Sequence, residues 1–321
     1  MRRKKQRSLA AAVLILYAGI PGTVLFWVFF LSERWYLLAS LLVLSETMIP
    51  FFLLYEGRRP RAREVAMAAM LSALTVIGDL ISFQALPVQF GTAMVILSGI
   101  SFGPETGFLV GALSRLIVNF FQGQGSWTPW QMFAWGALGF IAGISFHPVL
   151  PAKMSAERKW AEGNRIHASS FQIVLGPVLM VFAAELLGYV LFLLFPGKDP
   201  TFFGWRVYAF GALGLILGVL VQRKRLPADP VTLAVFTFFT VLILYGGIMN
   251  LSTVVTTSSM IGASGAQETG GEFWERIRTY YITGLPYDLW HAFRAALVMF
   301  LFGSPVLRRL ERVKVKYGFY R

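Results

Sequence analysis

Nine residues bring charge or strong hydrogen-bonding capacity into long apolar stretches: Glu46, Asp79, Arg115, Asn119, Glu185, Asn250, Asp288, His291 and Arg294. Such groups are costly in a hydrocarbon setting and by default mark a path or site for a polar solute. Asp79 and Arg115 can neutralise each other between the segments that carry them, as a structural pair or as groups that tune ligand choice. Asp288, His291 and Arg294 follow at i, i+3 and i+6, which places the first two on one helix face.

Residues 119–131, NFFQGQGSWTPWQ, hold a second constellation without a single charge. Asn119 and Gln122 are one helical turn apart, and Gln124, Trp127, Trp130 and Gln131 follow. Amides donate and accept, while indoles offer flat apolar faces with one donor each. That set suits a neutral or zwitterionic, partly aromatic organic molecule better than a bare cation, which would want clustered carboxylates or carbonyls. Gly123, Gly125 and Pro129 let the chain fold back over a pocket. Gln84, Tyr245, Asn250, Asp288 and His291, on other apolar segments, complete the candidate binding set.

Catalytic patterns are missing from the sequence. There is no GxxxxGK[ST] phosphate loop and no GxSxG nucleophile elbow. His147, His167 and His291 are scattered and form no HExxH, and Asp79 with Asp288 lacks the flanking glycines of an aspartyl protease pair. Without cysteine there are no thiolate metal ligands. Neither an enzyme, a metal site nor a bound cofactor is expected.

The elements that must position these residues are membrane helices. Of 321 residues, 56% are hydrophobic and 14% charged, with a mean hydropathy of +0.63. A soluble domain carries about 25% charged residues. Apolar runs near 9–31, 36–55, 65–83, 90–103, 104–121, 131–150, 171–195, 203–222, 230–250 and 285–304 predict an all-α, polytopic bundle of about ten transmembrane helices. The run from residue 9 is too long for a signal peptide and predicts a retained span. The formal charge of +13 does not point to nucleic acid, because lysines and arginines cluster in alternate gaps. These are the N-terminus, EGRRPRAR (56–63), the 151–170 segment, QRKR (222–225) and the tail RRLERVKVKYGFYR. By the positive-inside rule both termini are cytoplasmic, and the 119–131 loop faces outward. Trp35, Trp127, Trp130, Trp205, Trp274 and Trp290 then fall at the outer boundary, and 251–284 forms a long outer segment that turns amphipathic at 272–281. AWGALGFIAG (134–143) and AFGALGLILG (209–218) agree at seven of ten positions and present small-residue faces for close packing.

At residues 93–143, at YGGIMNLST (245–253) and at GLPYDLWHA (284–292) with the tail 307–318, the sequence resembles the substrate-binding (S) components of energy-coupling factor (ECF) vitamin transporters. GQGSWTPWQM (123–132) carries the resemblance most specifically. The resemblance implies a six-helix core that binds one micronutrient on the outer side of the cell membrane. It also implies docking on a transmembrane coupling subunit driven by two cytoplasmic ATPases. The organisation is then a two-helix extension (1–64), a first core part (65–150), a cytoplasmic loop with an inserted helix pair (151–229), and a second core part with a basic tail (230–321). Small residues on the first core helix, Ala62, Ala66, Ala69 and Ala73, would meet the coupling subunit. A corrinoid or its precursor is the first ligand expected. The alternative is a stand-alone, ion-coupled secondary transporter, favoured by the internal echo and by Asp79, Asp288 and His291 as a proton relay.

Overall fold

The computed structural model describes residues 10–12, 14–19, 22–23, 26, 36–57, 60–84, 88–146, 170–195, 202, 204–221, 226–264 and 270–317. Among these the chain is all-α, with helices α1 (Tyr36–Gly57), α2 (Ala62–Gln84), α3 (Phe90–Phe102), α4 (Pro104–Gln122), α5 (Thr128–Ser145), α6 (Ser170–Leu194) and α7 (Trp205–Val221). Helix α8 (Pro230–Phe239) runs through a π-helical segment (Thr240–Tyr245) into α9 (Gly246–Ala263). Helix α10 (Gly270–Val298) likewise passes through a π-helical segment (Met299–Gly303) into α11 (Ser304–Lys316). Three stretches, Ala62–Ser82, Pro230–Gly262 and Gly271–Lys316, are long and apolar enough to cross a membrane. Much of the predicted first span, Trp35, most of 151–170 and QRKR (222–225) lie outside the described residues.

Local chemistry explains the boundaries. Gly103, with φ at 95°, turns α3 into α4, and Pro104 follows at the first helical position, where its missing N–H is harmless. Gly123, with φ at 107°, ends α4 and starts the 119–131 loop's reversal. Asp229 caps α8 by accepting from the Thr232 backbone N–H at 3.0 Å.

Helices α3, α4 and α5 approach closely because their crossing is glycine against glycine. A Cβ on Gly107 would fall 2.6 Å from the Cα of Gly99 and 2.7 Å from the carbonyl carbon of Gly139. The echoed segment on α7 does the same against α6, where a Cβ on Gly214 would meet the Cα of Val181 at 2.6 Å. Around these crossings lies the main core, with Leu71, Val95, Ile96, Leu138, Leu233 and Met299 fully buried. Helix α1 adds Phe51, stacked on Phe108 with ring centroids 4.0 Å apart.

The 251–284 segment, expected as a long outer stretch that turns amphipathic at 272–281, is largely helical among the described residues. Residues 246–263 continue the helix begun at Pro230, and α10 starts at Gly270, so two helices extend the expected spans. At ~1.5 Å per residue, the continuous run Pro230–Gly262 is about 50 Å long, well beyond a hydrocarbon core of ~30 Å. Ser and Thr have modest helix propensity, but tertiary bonds override it here. Arg276 Nη1 donates to Ser258 Oγ at 2.8 Å, Thr257 and Tyr280 share a hydrogen bond of 3.1 Å, and Val254 packs with Tyr208, Ile277 and Tyr281.

Candidate functional site

Several helices converge on a cavity of about 500 Å³. Drug-sized ligand pockets span ~300–1,000 Å³. Helix α2 supplies Asp79 and Ser82, the residue before α3 is Gln89, and α4 supplies Arg115 and Gln122. Trp135 comes from α5, and Tyr245 from the end of the π-helical segment. The opposite wall is α10, with Tyr287, Asp288, Trp290, His291 and Arg294. π-Helical irregularities recur at functional sites, because the extra residue per turn re-aims the side chains that follow.

Arg115 knits one wall together. Its Nη1 lies 3.1 Å from Asp79 Oδ2, its Nε donates to Gln131 Oε1 at 2.9 Å, and its Nη2 donates to Gln122 Oε1 at 3.1 Å. The guanidinium also sits 5.1 Å from the Trp135 ring centroid. Gly91 makes room for this wall, since a Cβ there would fall 2.8 Å from the Asp79 Cβ and 3.0 Å from the Trp135 ring.

Asp288 organises the second wall. Its Oδ2 accepts from Tyr208 of α7 at 2.9 Å and from Asn250 Nδ2 of α9 at 2.8 Å. Gly246 leaves space beneath it, as a Cβ there would lie 2.7 Å from the carboxylate. Gly284 does the same for the Asn250 amide. His291 Nε2 is 3.0 Å from Thr92 Oγ1, and its ring meets Tyr245 edge-on with centroids 4.6 Å apart.

Of the candidate binding set, Gln122, Tyr245, Asp288 and His291 line this cavity, and so do Asp79, Arg115 and Arg294 from the nine polar residues of the apolar stretches. Asn119, Gln124 and Gln131 lace the loop instead. Asn119 is buried and donates through Nδ2 to Thr128 Oγ1 at 3.1 Å and to Gln131 Oε1 at 2.9 Å. Thr128 Oγ1 in turn donates to Gln124 Oε1 at 2.9 Å. Gln131 therefore joins loop to cavity wall, because one amide oxygen receives both Asn119 and Arg115. Trp127 is exposed and folds over Gly125, while Trp130 is buried with its Nε1 unpartnered. Asn250 stands behind Asp288, and Gln84 ends α2 with its side chain outside the described ones.

The candidate binding set left out Ser82, Gln89, Trp135, Tyr287, Trp290 and Arg294. A signal existed for Arg294, which continues the i, i+3 series of Asp288 and His291. Another existed for Trp135, one of the positions at which the two echoed segments differ. Among the described residues no group of three or more His, Asp or Glu is placed to hold a metal ion. Ala62, Ala66, Ala69 and Ala73 are all exposed along one side of α2, flanked by exposed Val65, Met70 and Leu74.

Residues 63–222 match the family model described as ECF transporter, substrate-specific component. The match runs from α2 through α7, so it includes the helix pair α6–α7 and stops before α8. A UPF0397 protein of Vibrio atlanticus is 34% identical over 89 residues, covering 26% of this chain and 48% of its own length. A UPF0397 protein of Aliivibrio salmonicida is 29% identical over 134 residues, covering 40% of this chain and 66% of its own. The chain thus spans about half the length of the Vibrio relative. No solved structure matches the chain. Over α2 to α7, this chain is similar to the substrate-specific component of ECF transporters.

Proposed function

We propose that this chain is the membrane-embedded substrate-capture subunit of an ATP-driven ECF importer. It binds a vitamin or vitamin precursor at its extracellular side and delivers it inward through partner subunits. The observation that carries this reading is the polar and aromatic cavity, half of whose lining comes from the family-matched segment and half from Tyr245 and α10. Its walls combine hydrogen-bonding groups for orientation with Trp135, Tyr245 and Trp290 for buried apolar area. The basic clusters support a topology with both termini in the cytoplasm and the 119–131 loop outside.

The partners are a transmembrane coupling subunit and two cytoplasmic ATPases, with the exposed alanine side of α2 as the docking ridge. Small residues four apart let another helix approach closely. We read α2 to α5 with the α8–α9 and α10 helices as the six-helix core and α1, its predecessor and the pair α6–α7 as additions to it, although the family match itself takes in α6–α7. Through Tyr208, that pair reaches Asp288 and so takes part in the site. A cavity of about 500 Å³ favours an organic molecule of drug size over the larger corrinoid first expected.

A second reading draws on Asp79, Asp288 and His291 lining one cavity, an arrangement that a proton-coupled secondary transporter would also use. Uptake separates the two. Vesicles holding this chain alone should show no accumulation under an imposed ion gradient, whereas addition of the coupling and ATPase subunits with ATP should start it. Robust gradient-driven uptake by the chain alone would remove the ECF reading.

A further inference from the structure

We propose that the captured molecule is a zwitterion, with its anionic group seated on Arg294 and its cationic group on Asp288. This rests on the capture reading and assigns the chemistry of the same cavity. The two guanidiniums that line it are not equivalent. Arg115 is spent, since all three of its nitrogens are bonded to Asp79, Gln131 and Gln122 and its face lies over Trp135. Arg294 has no ion pair or hydrogen bond among the described residues; its Nε is buried without a partner, and its only close aromatic neighbour is Trp290 at 5.7 Å. A half-buried guanidinium with a buried, unpartnered Nε and no counter-ion is costly, and a carboxylate or phosphate arriving on a ligand reduces that cost.

The carboxylates divide in the same way. Asp79 has its cation in Arg115. Asp288 receives only neutral donors, the Tyr208 hydroxyl and the Asn250 amide, which fix its orientation without supplying positive charge. One unopposed cation and one unopposed anion therefore face a common space. Both stand on α10 six residues apart, on the order of 9 Å along the axis at ~1.5 Å per residue. A ligand bridging them carries its two charges at opposite ends, and the side chains of Trp135 and Tyr245 line the same cavity. Neutral or singly charged molecules leave at least one of these two charges unopposed and are discriminated against for that reason.

The test uses the full chain purified in detergent and a defined pool of aromatic metabolites in matched charge classes. Amino acids such as tryptophan and kynurenine represent zwitterions, indole-3-propionate the anions and tryptamine the cations. Compounds retained through size exclusion are identified by mass spectrometry, for the wild type and for Arg294→Gln, Asp288→Asn and Arg294→Lys. Retention should be confined to zwitterions, and Arg294→Gln and Asp288→Asn should each weaken it by roughly tenfold or more, the scale of one lost charge-assisted bond. Arg294→Lys keeps the charge and should retain much of the binding, which guards against a variant that merely misfolds. A retained ligand lacking either charge, or Arg294→Gln binding within about twofold of wild type, overturns the assignment but leaves capture standing. If the wild type retains nothing from this pool and carries no molecule from the cell, the capture reading itself falls.

Discussion

Replacing Arg115 by methionine tests the polar wall with a magnitude that can be worked out beforehand. The guanidinium bonds Asp79 at 3.1 Å, Gln131 at 2.9 Å and Gln122 at 3.1 Å, tying α2, α4 and α5 together. The Arg115 and Asp79 side chains are only 11% and 8% exposed, so little water can take over either role. Removing one partner of a buried pair costs about 3–5 kcal/mol, mostly because the other charge is stranded. The double variant Arg115→Met with Asp79→Asn strands no charge. It should lose chiefly the net value of the bonds to Gln131 and Gln122, about 1 kcal/mol each. At ~2 °C per kcal/mol for a chain of this size, the single variant should melt about 6–10 °C lower and the double variant about 4 °C lower. Heating in detergent followed by fluorescence-detected size exclusion reads both. A double variant no more stable than the single one, or a single variant indistinguishable from wild type, would show that the pair is not a buried, mutually dependent unit.

Other substitutions probe separate parts. Tyr208→Phe deletes the donor that α7 extends to Asp288, and should weaken ligand retention about fivefold while the fold survives, since one net hydrogen bond is worth about 1 kcal/mol. Unchanged retention would detach the α6–α7 pair from the site. Asn119→Ala removes the amide that bonds Thr128 and Gln131, with an expected loss of about 1–3 kcal/mol in thermal stability and weaker ligand binding; a neutral result would mean the loop is held elsewhere. Gly139→Leu drives a side chain into the backbone of Gly107. Overpacking typically costs ~1–3 kcal/mol, and a backbone obstacle places this change at the upper end, read as loss of the monodisperse peak. Ala69→Trp or Ala73→Trp should leave ligand binding intact and abolish uptake with partner subunits, and full uptake would exclude α2 as the docking ridge.

The helical architecture was legible because a membrane span is written in a single stretch of sequence. Twenty apolar residues between basic clusters need no distant partner to be recognised, and α2, α6 and α7 lie close to where such runs predict. The full extent of helix across 251–284 was not legible, for the converse reason. Its helices are stabilised by Ser258 meeting Arg276 and Thr257 meeting Tyr280, pairs that no local pattern reveals. The site shows the same division. Asp288 and His291 sit on one helix and could be associated by spacing alone. Gln89, Trp135 and Arg294 reach the cavity from three different segments, so their convergence is a property of packing. Asn119 and Gln131 carry the right chemistry for a ligand, but the Asn119 Nδ2 bonds within the loop and the Gln131 Oε1 serves Asn119 and Arg115. Residue type cannot say which way an amide points.

Whether the cavity between Arg115, Trp135 and α10 holds a captured solute is tested most directly by native mass spectrometry of the chain purified from cells grown in rich medium. A single drug-sized organic molecule bound in one copy, and lost on Asp288→Asn, is the predicted spectrum. Preparations that carry only lipid and detergent adducts, at every growth condition, would contradict it.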